Sequence, residues 1–160
     1  MFDSEKIKVR IADIAVGSGR DILTTYGLGS CVAVMIYDPE AKIGGMNHFL
    51  LPTKSTVRNE KNLAKFSDTG IEELIRKLIM TGAVVERLVA KVVGGSNMFP
   101  TLSKNSIGQK NIIAAETILK KHSIEIISRD VGGTWGRSVE FYVGNGKVII
   151  KSYKKGVKEI

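Results

Sequence analysis

The sequence predicts an α/β (α+β) fold, a single-domain layered sandwich of mostly antiparallel, hairpin-joined strands with two amphipathic helices. Three observations lead there. Short apolar or alternating runs recur between Gly, Pro, Asn and Asp residues, as strands and their turns do. Two longer segments repeat their apolar residues at helical spacing. A chain of 160 residues, 43% hydrophobic and 25% charged, suits one compact domain over residues 1–160.

Taken in order, Ile7, Val9 and Ile11 alternate with Lys8, Arg10 and Ala12, a half-buried strand pattern. Ile22 to Thr25 is a short β-prone run, broken by Gly27 and Gly29. Cys31 to Tyr37 is continuously apolar and stops at Asp38-Pro39, which predicts a strand covered on both faces. Gly44 to Leu51 is its hairpin partner, ended by Pro52. Thr53 to Lys65 is polar and basic and reads as a surface loop. Ile71, Leu74, Ile75, Leu78 and Ile79 then mark one face of a helix, with Ser67 or Asp68 as cap and Gly82 as terminator. On its exposed side Glu72 is spaced to pair with Arg76, and Glu73 with Lys77.

Leu88 to Val93 predicts another strand, closed by Gly94-Gly95-Ser96-Asn97. Ser106 and Gln109 have capping-box spacing before a second helix with Ile112, Ala115 and Leu119 on its apolar face. Lys120, Lys121 and His122 suit that helix's negative end, which already accounts for His122. Ile124 to Ile127 is a short strand. Val139, Phe141 and Val143 alternate, and Gly144-Asn145-Gly146 turns the chain into Lys147 to Lys151.

Lys and Arg number 24 against 16 acidic residues, a net charge of +8 that favours an acidic partner or simply a lysine-rich soluble surface. The basic residues are spread over 54–65, 104–121 and 151–158, and only 6% of residues are aromatic. Single-strand binders interleave basic and stacking side chains, so an acidic protein and no nucleic acid is the expectation. No run is apolar enough to cross a bilayer, and Met1 to Arg10 lacks a signal-type apolar core, which predicts no membrane insertion and a cytoplasmic protein. A single cysteine allows no internal disulfide, and with two histidines it argues against a structural zinc site.

The chemistry converges on Cys31. Tyr26-Gly27-Leu28-Gly29-Ser30 precedes it, and glycines there permit a tight path whose uncovered amides can hold an oxyanion, with Gly29 and Ser30 as the turn residues. A lone cysteine opening an apolar strand is also an ordinary small core residue. His48 lies on the paired strand, and the hairpin brings it to the same end of the sheet. Its ring can take the Cys31 proton as an ion pair, or be merely a buried, hydrogen-bonded histidine. Thr24 and Thr25 are the nearby groups able to orient that ring. Gly27-Leu28-Gly29 is no nucleotide fingerprint, since Val32 stands where the third glycine belongs and a strand follows. Trp135 and Arg137, in a glycine-rich loop, are candidates for a substrate rim. Phe99 follows a strand end and precedes Pro100, which suits an exposed contact residue or a cap folded on the core.

Thr25-Tyr26-Gly27-Leu28-Gly29-Ser30-Cys31-Val32-Ala33-Val34 and His48-Phe49-Leu50-Leu51-Pro52 resemble the CheD family of chemoreceptor glutamine deamidases. The likeness continues through Lys65-Phe66-Ser67-Asp68-Thr69, Gly94-Gly95-Ser96-Asn97-Met98-Phe99, Ile107-Gly108-Gln109-Lys110-Asn111 and Asp130-Val131-Gly132-Gly133. It implies a catalytic set of Cys31, His48 and Thr25, with Thr25 chosen over Thr24. It also implies hydrolysis of glutamine side chains on methyl-accepting chemotaxis receptors, with ammonia released and no cofactor. In some species the implied partner is the phosphatase CheC, and Phe99 is a docking candidate for receptor or CheC. Two other readings stay open: Cys–His chemistry that cleaves or cross-links peptides, and an adaptor with an unused site.

Overall fold

The computed structural model describes residues 5–54, 59–99 and 106–160. Within them the chain runs β1 (Lys6–Lys8), β2 (Asp13–Ser18), β3 (Ile22–Leu28), β4 (Val32–Asp38), β5 (Ile43–Phe49) and α1 (Ser67–Thr81). It continues through β6 (Val89–Gly94), α2 (Ile107–Lys121), β7 (Glu125–Val131), β8 (Arg137–Tyr142), β9 (Val148–Ser152) and β10 (Gly156–Glu159). These strands form two five-stranded sheets, ordered β1-β3-β8-β9-β10 and β2-β5-β4-β6-β7. Neighbours are antiparallel except β1 with β3 and β6 with β7.

The sheets face each other, and α1 and α2 cover the outer face of the second. β4 displays the reason. Val32, Val34 and Ile36 pack with Ile71, Leu74, Leu78, Ala115 and Leu119 of the helices. Ala33, Met35 and Tyr37 pack with Leu23, Val139 and Phe141 of the opposite sheet. With both faces covered, every residue of β4 is buried, hence the unbroken apolar run. The layered, mostly antiparallel architecture matches the sequence expectation.

Several local readings change. The first strand stops at Lys8, and Ile11 is exposed because the chain turns through Ala12 at φ 59°. Val9 stays buried beside it, its N–H on the Thr24 carbonyl. β2 and β10 lie at sheet edges and carry little apolar signal. β7 runs on to Val131, because an edge strand tolerates Ser128, Arg129 and Asp130.

Neither Ser67 nor Asp68 caps α1. The cap position is Phe66, fully buried and bridged to Leu51, while Asp68 accepts from the Lys54 and Thr69 amides. Gly82 does end the helix, at φ 118°. Glu73 pairs with both Arg76 and Lys77, whereas Glu72 reaches across to Lys121 and His122 of α2. Ser106 caps α2 and accepts from the Gln109 amide, as expected. The loop expected over 53–65 contains a short 3₁₀ turn at Leu63–Lys65. Its residues 55–58, and Pro100 to Asn105, lie outside the described residues.

Candidate active site

The β4–β5 hairpin sets the site's geometry. Val32 pairs with Phe49 and Ala33 with His48. One more step along the same register sets Cys31 opposite Leu50, so Cys31 and His48 are diagonal neighbours on one face of the sheet. That face looks into the gap between the sheets, where Cys31 packs against the inter-sheet cluster. His48 crosses this gap: its Nδ1 lies 2.8 Å from Oγ1 of Thr25 on β3. Thr24, the other candidate orienting residue, has no such bond to His48.

The hydrogen bonds fix the tautomer of His48. The Thr25 hydroxyl donates to the Val9 carbonyl at 2.6 Å, and a carbonyl can only accept. Its single proton is therefore committed, and Thr25 Oγ1 meets the histidine as an acceptor. His48 Nδ1 must then carry the hydrogen, which leaves Nε2 with a free lone pair. Among the described residues that Nε2 is buried and has no hydrogen-bond partner. A base held by one nitrogen and bare at the other is prepared to accept a proton. The Val9 carbonyl thus fixes the direction of the Thr25–His48 bond. No sequence signal could reveal it, because a backbone carbonyl carries no residue identity.

Burial sets the protonation states. It pulls the His48 imidazole down to about 4, and it pushes the Cys31 thiol up, with the cysteine's own backbone N–H partly offsetting that rise. Of the two arrangements open from the sequence, burial favours neutral thiol beside neutral imidazole over an ion pair. The consequence for pH is directional. kcat/KM should hold level down through pH 6.5 and fall only as His48 protonates near pH 4. Iodoacetamide alkylation of Cys31 should keep climbing as pH rises through neutrality. A plateau of alkylation between about pH 6 and 8 would mean a preformed thiolate–imidazolium pair instead.

The loop after β6 braces the turn before Cys31. The Gly95 N–H donates to the Cys31 carbonyl at 2.8 Å, and the Ser96 N–H donates to the Gly29 carbonyl at 2.9 Å. Gly94 sits at φ 113°, and any side chain there would run into the Cys31 carbonyl oxygen. Of the glycines before Cys31, Gly27 occupies the left-handed region at φ 68°, at a bulge in β3. Gly29 does not, and a Cβ on it would merely touch Met98 Cγ at 3.5 Å. The Cys31 N–H reaches its own Sγ.

The expected rim residues divide. Trp135 is half-buried, with Arg137 and Lys155 over its ring. Arg137 is buried and belongs to the scaffold, bonded to Asp130, the Ser96 hydroxyl and the Gly132 carbonyl. Three other apolar side chains are exposed by this end of the sandwich: Phe99 at 70%, Tyr26 at 53% and Met98 at 45%. Among the described residues no three His, Cys, Asp or Glu side chains converge to hold a metal ion, and no helix is long and apolar enough to cross a membrane.

Comparison with known proteins fits these features to a family. The family model described as CheD chemotactic sensory transduction matches residues 50–152. The probable chemoreceptor glutamine deamidase CheD of Caldanaerobacter subterraneus subsp. tengcongensis is 42% identical, over 99% of this chain and all of its own. The protein of the same name from Lachnoclostridium phytofermentans is 43% identical over 98% of this chain and 99% of its own. That from Pyrococcus horikoshii is 40% identical over 95% of each. Among solved structures, a Neisseria meningitidis protein of the family model DUF152 shares the fold with a TM-score of 0.52 and 10% identity. That match covers 82% of this chain and 64%, under two thirds, of the other. The family model begins after His48, but the full-length relatives align through Cys31, His48 and Thr25 as well, and the chain belongs to the CheD family.

Proposed function

We propose that this protein hydrolyses glutamine side-chain amides to glutamate on methyl-accepting chemotaxis receptors, using Cys31 as nucleophile, His48 as base and Thr25 to orient it. The observation that carries this is the bare, buried Nε2 of a histidine whose Nδ1–H is tied to Thr25, on the same face and diagonal to Cys31. Family membership supplies the substrate class, and the whole chain, residues 1–160, acts as one deamidase domain in the cytoplasm.

Cys31 Sγ adds to the carboxamide carbon as its proton passes to His48 Nε2, and the Cys31 N–H with the adjoining Gly29-Ser30 turn holds the oxyanion. Thr25 Oγ1 keeps accepting from Nδ1, so the imidazolium stays aimed at the leaving group. His48 returns the proton to nitrogen, the C–N bond breaks and ammonia leaves. Water then gives a proton to Nε2 and attacks the thioester carbon, the C–S bond breaks, and Nε2 returns the proton to Sγ, which restores Cys31 and leaves glutamate. No step calls for a cofactor. Product identity tests the reading. Incubation with a receptor cytoplasmic fragment should release ammonia with neither backbone cleavage nor cross-linking, and fragments or cross-linked chains would point to another Cys–His outcome.

Phe99 serves as the anchor for receptor or CheC. It is largely exposed, and Met98 beside it leans on the nucleophile turn at Gly29, so a partner held there lies next to Cys31. Phe99→Glu should weaken binding of receptor and CheC by about 30-fold, the scale of an interface hot spot, with an unchanged melting temperature. A variant that loses several kcal/mol of stability, or that binds both partners normally, has no anchor at this position. The basic surface is assigned to acidic protein and not to nucleic acid.

A further inference from the structure

Asn111, in α2, is fully buried. Its Nδ2 donates to two carbonyls, Ser30 O at 2.9 Å and Leu50 O at 2.8 Å. Two carbonyl acceptors can be served only by the NH₂ end, which fixes how the amide faces. Its Oδ1 has no partner among the described residues, so the side chain's polar contacts lie on the donor side. The two acceptors are not arbitrary. Ser30 immediately precedes Cys31, and Leu50 lies two residues beyond His48. The backbone ladder between β4 and β5 has its last pair at Val32 and Phe49, just short of both. At the point where strand pairing ends, one side chain holds the two chain ends together.

α2 is itself fixed for this task. Gly108 approaches the Gly94–Ser96 loop so closely that a Cβ on it would lie 2.6 Å from the Gly95 carbonyl oxygen. That same loop holds the Cys31 carbonyl through the Gly95 N–H. The peptide joining Ser30 to Cys31 is trans, so its N–H points away from the carbonyl that Asn111 grips. Fixing the Ser30 carbonyl therefore also aims the Cys31 N–H, the group placed to receive the oxyanion.

We infer that Asn111 is a positioning residue for the Cys31–His48 pair: its amide closes the open end of the β4–β5 ladder and sets both the reach from Sγ to Nε2 and the direction of the Cys31 N–H. It touches no substrate atom. This inference rests on the proposed chemistry at Cys31, although its geometry can be read without a substrate.

The test uses Asn111→Leu, which keeps the branched outline but is bulkier and without donors, and Asn111→Asp, similar in shape but with oxygen where NH₂ must donate. kcat should fall about 100-fold, the usual cost of a displacement near 1 Å, with KM within about threefold of wild type. Cys31 should at the same time alkylate faster with iodoacetamide, by about tenfold, because a released turn exposes and resolvates the thiol. Activity down and reactivity up, with a melting temperature close to wild type in at least one variant, is the signature of a lost clamp. Unchanged kcat, or slower turnover with unchanged alkylation, overturns the inference, as does a loss confined to KM. If wild type releases no ammonia from receptor, the functional proposal fails by itself, and the alkylation comparison still decides on the clamp.

Discussion

Cys31→Ala should abolish ammonia release, and His48→Ala should reduce it by at least about 10⁴-fold, each with the fold intact. The two losses should be alike because the proposed mechanism makes sulfur and Nε2 one unit: a thiol raised by burial is a poor nucleophile without a base beside it. Thr25→Val should cost less, about 10- to 100-fold, since the ring loses its orientation but keeps its lone pair. Thermal melts and circular dichroism should show near-native folding for Cys31→Ala, whose side chain is only partly buried. Turnover near wild type in the alanine variant of either Cys31 or His48 would remove the mechanism.

The largest expected loss of stability is at Asp38, the last residue of β4. Its carboxylate is fully buried and accepts from the Glu40, Ala41 and Val84 amides and from the Arg87 guanidinium. It thereby fastens the β4–β5 hairpin turn to the segment that leads into β6. Asp38→Ala strips several donors of their acceptor at once, a loss of about 3 kcal/mol or more, seen as an earlier midpoint in urea. Arg87 holds the Asp38 carboxyl well below the usual carboxylate range. A depressed carboxylate adds stability that is complete above the unfolded value of about 4 and fades as pH falls below it. The wild-type protein should therefore lose stability more steeply below pH 4 than Asp38→Ala, with the gap narrowing toward acid. An equal gap at pH 7 and pH 2 would contradict this role.

Much of the fold can be read from the sequence because both faces of β4 are covered, and continuous burial leaves an unmistakable apolar run. Edge strands β2, β7 and β10 are hard to read for the opposite reason: an edge exposes polar residues, so their pattern is diluted. At the site, the local words around Cys31 and His48 were legible, and the hairpin between them could be counted in residues. What the sequence hides is contact across layers. Thr25 hydrogen-bonds to His48 from another sheet, Val9 contributes only its carbonyl, and Asn111 reaches the turn from a helix 81 positions away. Asn111 did leave a trace. It shares the stripe of Ala115 and Ile118 at helical spacing, and a polar residue on an apolar face calls for buried partners. Arg137 misled because a charged residue in a glycine-rich loop reads as exposed, whereas Asp130 and Ser96 neutralise and bury it.

The most direct test is the intact mass of a receptor cytoplasmic fragment after incubation with wild-type protein and, in parallel, with Cys31→Ala. The account predicts the mass gain of amide-to-acid conversion with wild type alone, mapped by peptide sequencing to glutamine and not to asparagine. An unchanged fragment mass with wild type, or the same gain with Cys31→Ala, would contradict it.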